Sequence, residues 1–356
     1  MLCRDWLDLR ERDPVNLLEL DHVIVRYGTG RSSVTAVDDI SLAVESGTSL
    51  GIVGESGSGK STLARAIVQL VPTASGRIRL DGRDVTNARG SAVRHVRDRV
   101  QMVFQDPFAS LNPRRTIGAT LAEAVSLHER RQGSGADSKA EVDRLLQLVR
   151  LDPAAVHRYP NEFSGGQIQR VAIARALAAG PRLLILDEVT SALDVSVQAA
   201  ILNLLRELRQ RLGLTFVCIS HDLSVIGYLC QTVAVTYLGQ LVERSSCAEL
   251  FTAPQHPYSR SLLDSIPQVR GERIRATAGG DVPNPRFPPS GCRYHPRCAI
   301  GPLAQSGRDV CRNTDPHQDW EADNARFAAC HFPLGQPTAL TNGQPSGHGA
   351  EIGEPA

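Results

Sequence analysis

Nine consecutive residues, Gly54-Glu55-Ser56-Gly57-Ser58-Gly59-Lys60-Ser61-Thr62, have the types and spacing to hold a polyphosphate. They fit G-x-x-x-x-G-K-[ST], a pattern in which glycines let backbone N–H groups converge on phosphate oxygens. A helix starting behind the loop adds the positive end of its dipole. Lys60 can reach the β- and γ-phosphates, and the Ser61 hydroxyl can hold Mg²⁺. A second pair, Asp187-Glu188, ends an apolar run. Asp187 is placed to organise Mg²⁺ through water, and Glu188 to polarise an attacking water as general base. Read alone, the two carboxylates are also an acidic cap after a strand. A third stretch, Phe163-Ser164-Gly165-Gly166-Gln167-Ile168-Gln169-Arg170, opens a helix with Ser164 and small residues at its start. That is a second anion site of the helix-terminus kind. Two phosphate sites in one chain point to two chains sharing nucleotides.

These residues need elements to position them. Ser49-Leu50-Gly51-Ile52-Val53 reads as a buried strand before the loop, and the stretch from Leu63 to Val68 as a helix after it. Two runs rich in β-branched residues, Leu17 to Arg26 and Ala36 to Val44, predict antiparallel strands joined by a glycine-rich turn. Gly76 to Leu80 and Val100 to Phe104 predict two more, the second closed by Gln105. Residues 106–180 change character, with helical periodicity at Ile117 to Glu129, Lys139 to Leu151 and Ile168 to Ala178. They predict a helical subdomain inserted into an α/β core. Arg182 to Leu186 and Leu214 to Ile219 are short apolar runs suited to central parallel strands, with an amphipathic helix from Asp194 to Leu212 between them. Strands alternating with helices predict a doubly wound core.

Composition bounds the rest. The chain has 356 residues, more than one simple domain usually needs, and a net charge of +1, so there is no global basic footprint for nucleic acid. No apolar run approaches the roughly eighteen residues that span a bilayer, and the start lacks a signal-peptide core. The expectation is a cytoplasmic protein with reduced cysteines.

The ordered set of motifs resembles the ATPase subunits of ABC transporters, over about residues 17 to 332. Ser164-Gly165-Gly166-Gln167 matches their signature, with Phe163 in the place of Leu. The resemblance implies that Ser164, Gly165, Gly166 and Gln167 contact the γ-phosphate held by an opposite subunit. Gln105 matches the Q-loop glutamine, a sensor of γ-phosphate and Mg²⁺, and Ser191-Ala192-Leu193-Asp194 matches the D-loop. His221 matches the switch histidine and Tyr27 the aromatic that stacks on adenine. The implied ATP site thus comprises Tyr27, Gly54, Ser56, Gly57, Ser58, Gly59, Lys60, Ser61, Thr62, Gln105, Asp187, Glu188 and His221. Ser61, Gln105 and Asp187 are its Mg²⁺ contacts. Val189 stands where many relatives have Pro, leaving the carboxylates in place.

Three stretches narrow the resemblance to the oligopeptide/dipeptide (peptide/nickel) importers and their F-type subunit. They are Gln101 through Pro113, Ser191-Ala192-Leu193-Asp194-Val195-Ser196-Val197-Gln198, and His256-Pro257-Tyr258-Ser259. The implied fold is a P-loop NTPase (RecA-like) core with an antiparallel β subdomain and an inserted helical subdomain. The implied domains are an ATPase at 15–270, a C-terminal extension at 271–335 and a disordered tail at 336–356. The implied partners are a second ATPase subunit, two transmembrane permease subunits and an extracytoplasmic solute-binding protein. The implied place is the cytoplasmic face of the membrane. A nickel or other solute importer is the alternative, and a soluble ABC ATPase of DNA or ribosomes a third reading; a scaffold subunit that only binds ATP is a fourth.

Cys292, Cys298, Cys311 and Cys330 follow C-x5-C-x12-C-x18-C. Four thiols in a loop-rich segment poor in apolar residues read as a metal staple, iron–sulfur or Zn²⁺, or as four free thiols. The family resemblance favours a [4Fe–4S] cluster. Its distance along the chain from every ATP motif predicts that losing it loosens the extension before nucleotide binding is affected.

Overall fold

The computed structural model describes residues 16–132, 138–266, 281–317 and 326–335. The expectations for the chain's start and for the C-terminal tail at 336–356 lie outside the described residues. In chain order, β1 (Asn16–Tyr27) and β2 (Val34–Glu45) precede β3 (Ser49–Val53), α1 (Lys60–Ile67), β4 (Ser75–Leu80) and β5 (Arg83–Asp84). Then come α2 (Ser91–Arg99), β6 (Val100–Val103), α3 (Ile117–Gln132), α4 (Ser138–Leu148) and α5 (Gly165–Leu177). The second half holds β7 (Leu183–Asp187), α6 (Val195–Leu212), β8 (Thr215–Ser220), α7 (Leu223–Leu229), β9 (Thr232–Tyr237) and β10 (Gln240–Ser246). It ends with α8 (Cys247–Thr252), α9 (Pro257–Asp264), α10 (Val310–Asn313) and β11 (Phe327–Ala328).

Two sheets form. The order β2-β1-β4-β5 is antiparallel, with Val23 opposite Ile40 and Leu20 opposite Ile78. The second runs β11-β10-β9-β3-β8-β7-β6. Its five strands from β9 to β6 pair in parallel, as the short apolar runs predict. Every residue of β3, β7 and β8 is buried. Each Leu, Ile or Val so removed from water contributes about 1.5–3 kcal/mol. The sheet is mixed rather than wholly parallel, because β10 returns antiparallel to β9 and β11 adds to its edge.

α3, α4 and α5 form the inserted helical layer, with Ile117, Leu121, Val125, Leu145, Leu146, Ile168 and Val171 all buried in one core. Several boundaries shift from the sequence reading, among them the end of α4 at Leu148 rather than Leu151. β6 stops at Val103, leaving Phe104 beyond it, and α5 begins at Gly165 because Ser164 caps it. Among the described residues of the C-terminal part, β11 joins the central sheet, and Tyr258 and Tyr294 belong to its core.

Candidate functional site

The parallel strands end on one side, and the loops leaving them carry the chemistry. The phosphate loop follows β3, Gln105 follows β6, Asp187 ends β7 and His221 follows β8. Since β3, β8, β7 and β6 are neighbours in the sheet, their carboxyl ends must assemble one crevice, the usual ligand position in open α/β folds.

The loop itself is shaped by close backbone packing. At Gly54, φ is 156°, and a Cβ would come within 2.2 Å of the Thr236 carbonyl oxygen. At Gly59, φ is 97° and a Cβ would meet the Ala36 carbonyl oxygen at 2.1 Å. Only glycine fits either place. Lys60 Nζ folds back on its own loop, donating to the Gly54 and Glu55 carbonyls at 2.7 and 2.8 Å and to Ser58 Oγ at 3.2 Å. Burial lowers the Lys60 pKa, opposed by Glu188, Asp187 and Glu55.

Ser61 Oγ donates to Asp187 Oδ1 at 2.9 Å, so the two expected Mg²⁺ contacts stand together across the crevice. Burial raises the Asp187 carboxyl pKa, opposed by that bond. A divalent cation placed between a hydroxyl and a buried carboxylate would supply the missing positive charge, so these residues suit it. Gln105 Nε2 donates to Glu188 Oε2 at 2.9 Å, and His221 Nδ1 lies 3.2 Å from Glu188 Oε1. Tyr27 Oη donates to Thr62 Oγ1 at 3.4 Å, and its ring is 41% exposed beside the loop. An open aromatic face at that position suits a stacked base.

Ser164 and Gln167 are bonded to each other at the start of α5. Ser164 Oγ accepts from the Gln167 N–H at 3.4 Å, and Gln167 Oε1 accepts from the Ser164 N–H at 3.1 Å, a reciprocal capping box. A Cβ on Gly166 would come within 2.3 Å of Val197 Cγ1, so the signature helix lies tightly on α6. Phe163 is buried, with the Arg158 guanidinium 4.2 Å above its ring.

Cys292, Cys298, Cys311 and Cys330 share one neighbourhood. Burial pushes the Cys292 and Cys330 thiol pKa values up to about 12; the other three thiols add to the first shift, and Cys298 and Cys311 to the second. Among the described residues, however, no group of three or more His, Cys, Asp or Glu is arranged to hold a metal ion. Four clustered soft sulfurs have the right donor chemistry, without a converged ligand set.

Glu55, Tyr258 and Arg297 were not legible as site residues. His256-Pro257-Tyr258 carries a family resemblance but no stated role, and Arg297 lies 242 positions from Glu55, with which it pairs. Spacing carries no signal for such a contact.

The chain is similar to known proteins over most of its length. The ABC transporter family model matches residues 37–191, and the model of the oligopeptide/dipeptide transporter C-terminal region matches residues 242–301. A Brucella ovis protein, provisionally named a peptide import ATP-binding protein, is 44% identical over 320 residues, covering 88% of this chain and 97% of its own. A Brucella abortus protein of the same description is 44% identical over 325 residues, covering 91% and 93%. Among solved structures, cbiO1 of Clostridium perfringens, part of the transporter complex cbiONQ, aligns with a TM-score of 0.59 and 25% identity over 68% of this chain and 92% of its own. A dimeric ATP-binding cassette in a post-hydrolysis state with ADP and Pi bound aligns with a TM-score of 0.59 and 29% identity over 65% and 98%.

Proposed function

The chain belongs to the ATP-binding subunits of ABC transporters of the oligopeptide/dipeptide family, and on that premise we propose that it binds and hydrolyses ATP to energise peptide import. The observation that carries the reading is the convergence of Lys60, Ser61, Gln105, Asp187, Glu188 and His221 at the carboxyl ends of four neighbouring strands.

In this reading Gly54, Ser56, Gly57, Ser58, Gly59 and Thr62 complete the phosphate cradle. Lys60 leaves its loop carbonyls for the β- and γ-phosphates, and Tyr27 stacks on adenine. Ser61, Gln105 and Asp187 would hold Mg²⁺, which would supply positive charge against the phosphates. Glu188 accepts a proton from the attacking water, with His221 beside the γ-phosphate. Positioning and charge stabilisation do most of the work in such transfers.

Ser164, Gly165, Gly166 and Gln167 face a second ATPase subunit. Their place at the capped start of α5, a second anion-binding helix terminus in a chain that already has a phosphate loop, supports a head-to-tail pair sharing two ATP molecules. Two permease subunits and an extracytoplasmic solute-binding protein complete the assembly. In this reading the chain joins the permeases peripherally, at the cytoplasmic face; among the described residues no helix is long and apolar enough to cross a membrane. The ATPase unit spans 15–270 and the extension 271–335. The soft-donor chemistry of the four neighbouring cysteines favours a [4Fe–4S] cluster, for which the thiols would have to converge from the positions they hold here.

The test is copurification with membrane permeases followed by ATP-dependent uptake into vesicles carrying the cognate binding protein. Uptake of labelled di- and oligopeptides is expected. Uptake of Ni²⁺ and no peptide would transfer the assignment to the related nickel importers. ATP turnover with no membrane partner would overturn the transport role.

A further inference from the structure

The phosphate loop is gripped from behind by the far end of the chain. Glu55, its second residue, is held at three points. Its carbonyl accepts from Lys60 Nζ at 2.8 Å, and its N–H donates to Tyr258 Oη at 2.8 Å. Its carboxylate takes both terminal nitrogens of Arg297, Nη1 to Oε2 at 2.8 Å and Nη2 to Oε1 at 3.0 Å. Fork-to-fork pairing of this kind fixes orientation as well as charge. The Arg297 side chain is 9% exposed, walled by Tyr237 and Tyr294, whose ring centroids lie 5.9 Å from its guanidinium. Tyr237, Tyr258 and Tyr294 pack on one another with centroids 4.7 to 5.3 Å apart. Arg297 Nε is buried without a hydrogen-bond partner, so the side chain keeps this place despite an unmet donor.

Arg297 is itself set by the cysteine segment. It ends the single helical turn His295–Arg297, immediately before Cys298. The His295 N–H donates to the Cys292 carbonyl at 3.0 Å, and the Cys298 N–H to the His295 carbonyl at 3.4 Å.

We propose that Arg297 is a positioning residue of the phosphate loop, acting through Glu55, and that order in the cysteine segment thereby sets the affinity for ATP. The physical case is direct. An unpaired Glu55 carboxylate would repel a triphosphate and compete for Lys60, whose charge it already supports. A loop released from Arg297 must also be ordered by the nucleotide, which weakens binding.

The test uses the full chain with a slowly hydrolysed ATP analogue for Kd and the assembled complex for KM and kcat. Arg297→Ala is expected to raise Kd and KM about tenfold, a change of about 1.4 kcal/mol, with kcat within about twofold. Arg297→Lys keeps the charge but loses the fork, so an intermediate rise of about threefold is expected. In a Glu55→Gln background, Arg297→Ala should add less than about twofold, because the charge it balances is gone. Cys298→Ser should raise KM in the native background and not in Glu55→Gln. A lowered melting temperature with unchanged KM in Arg297→Ala overturns the positioning role. If that variant does not fold, an unchanged KM in Arg297→Lys overturns it equally. An effect of Cys298→Ser that is equal in both backgrounds, or absent from both, overturns the link to the cysteine segment.

Discussion

Gln105 and Glu188, 83 positions apart, are joined by a 2.9 Å hydrogen bond from Nε2 to Oε2. Glu188 is also one of the few non-glycine residues with positive φ, at 48°. Its N–H donates to the Ile219 carbonyl at 2.9 Å, and Ser191 Oγ donates to its carbonyl at 3.0 Å, which hold the backbone there. A strained backbone over-determined by its surroundings is a feature of functional positions. It aims one carboxylate at both Gln105 and His221.

Glu188→Gln should leave ATP affinity within about twofold and reduce turnover by about 10²–10⁴-fold, since Gln keeps the shape but accepts no proton. Gln can also keep the contact with Gln105 by reversing donor and acceptor. Steady-state turnover of the assembled complex, with the partner's own site silenced, checks this. Full turnover in the variant removes Glu188 from the role of base.

Ser164→Arg and Lys60→Ala should damage different nucleotides. Ser164 bonds within its own helix start and Lys60 within its own loop, so the two belong to separate anion sites in the proposed pair. In the two-subunit complex, Lys60→Ala should weaken the ATP on this chain's loop. Ser164→Arg should block the ATP on the partner's loop, by crowding its γ-phosphate. Photo-crosslinking of labelled ATP to each subunit distinguishes them. Loss of the same bound nucleotide in both variants would contradict a head-to-tail pair.

Stability should fall on acidification partly through His256. Burial pushes its pKa down to about 3 from 6.5, and its Nδ1 accepts the Tyr258 N–H at 3.0 Å. The unfolded chain therefore binds a proton that the folded chain refuses between about pH 6.5 and 3. Stability then declines as pH falls through that window, by up to about 1.4 kcal/mol per pH unit. Glu243, which accepts the His256 N–H at 2.9 Å, has a pKa raised by burial above its ordinary 4.5, so just above pH 4.5 it holds a proton the unfolded chain lacks and works in the opposite direction. His256→Asn keeps an acceptor for the Tyr258 N–H. It should flatten the acid limb of the pH dependence by about one proton, measured by denaturant unfolding from pH 4.5 to 7. An unchanged slope would show that His256 is protonated in the folded chain.

Anaerobic purification should return iron and sulfide in a ratio near one, at about four of each per chain if one [4Fe–4S] cluster is bound. Serine at Cys292, Cys298, Cys311 or Cys330 should lower both. One tightly held Zn²⁺ and no iron would replace the cluster with a zinc site. Four thiols free to alkylation and no metal would return them to ordinary buried cysteines. Chain distance predicts that ATP binding outlasts the extension in such variants. The Arg297–Glu55 pair removes that separation, so ATP affinity should change together with the extension.

The sequence by itself determined the parts of this protein whose physics is local. The phosphate loop needs contiguous glycines before a helix, and the Ser164–Gln167 capping box needs only a spacing of three. The buried strand ending at Asp187 needs only an unbroken apolar run. Each was legible because neighbours in the chain are neighbours in space. The tertiary structure alone decided that Ser61 meets Asp187 across 126 positions, because strand order, not periodicity, makes β3 and β7 flank β8. It alone decided that β11, two residues long, closes the sheet edge, since so short a strand carries no alternation to read. And it alone decided that the cysteine segment reaches the phosphate loop. One buried guanidinium among three tyrosines makes that contact, and an ion pair formed between distant segments leaves no pattern in either of them.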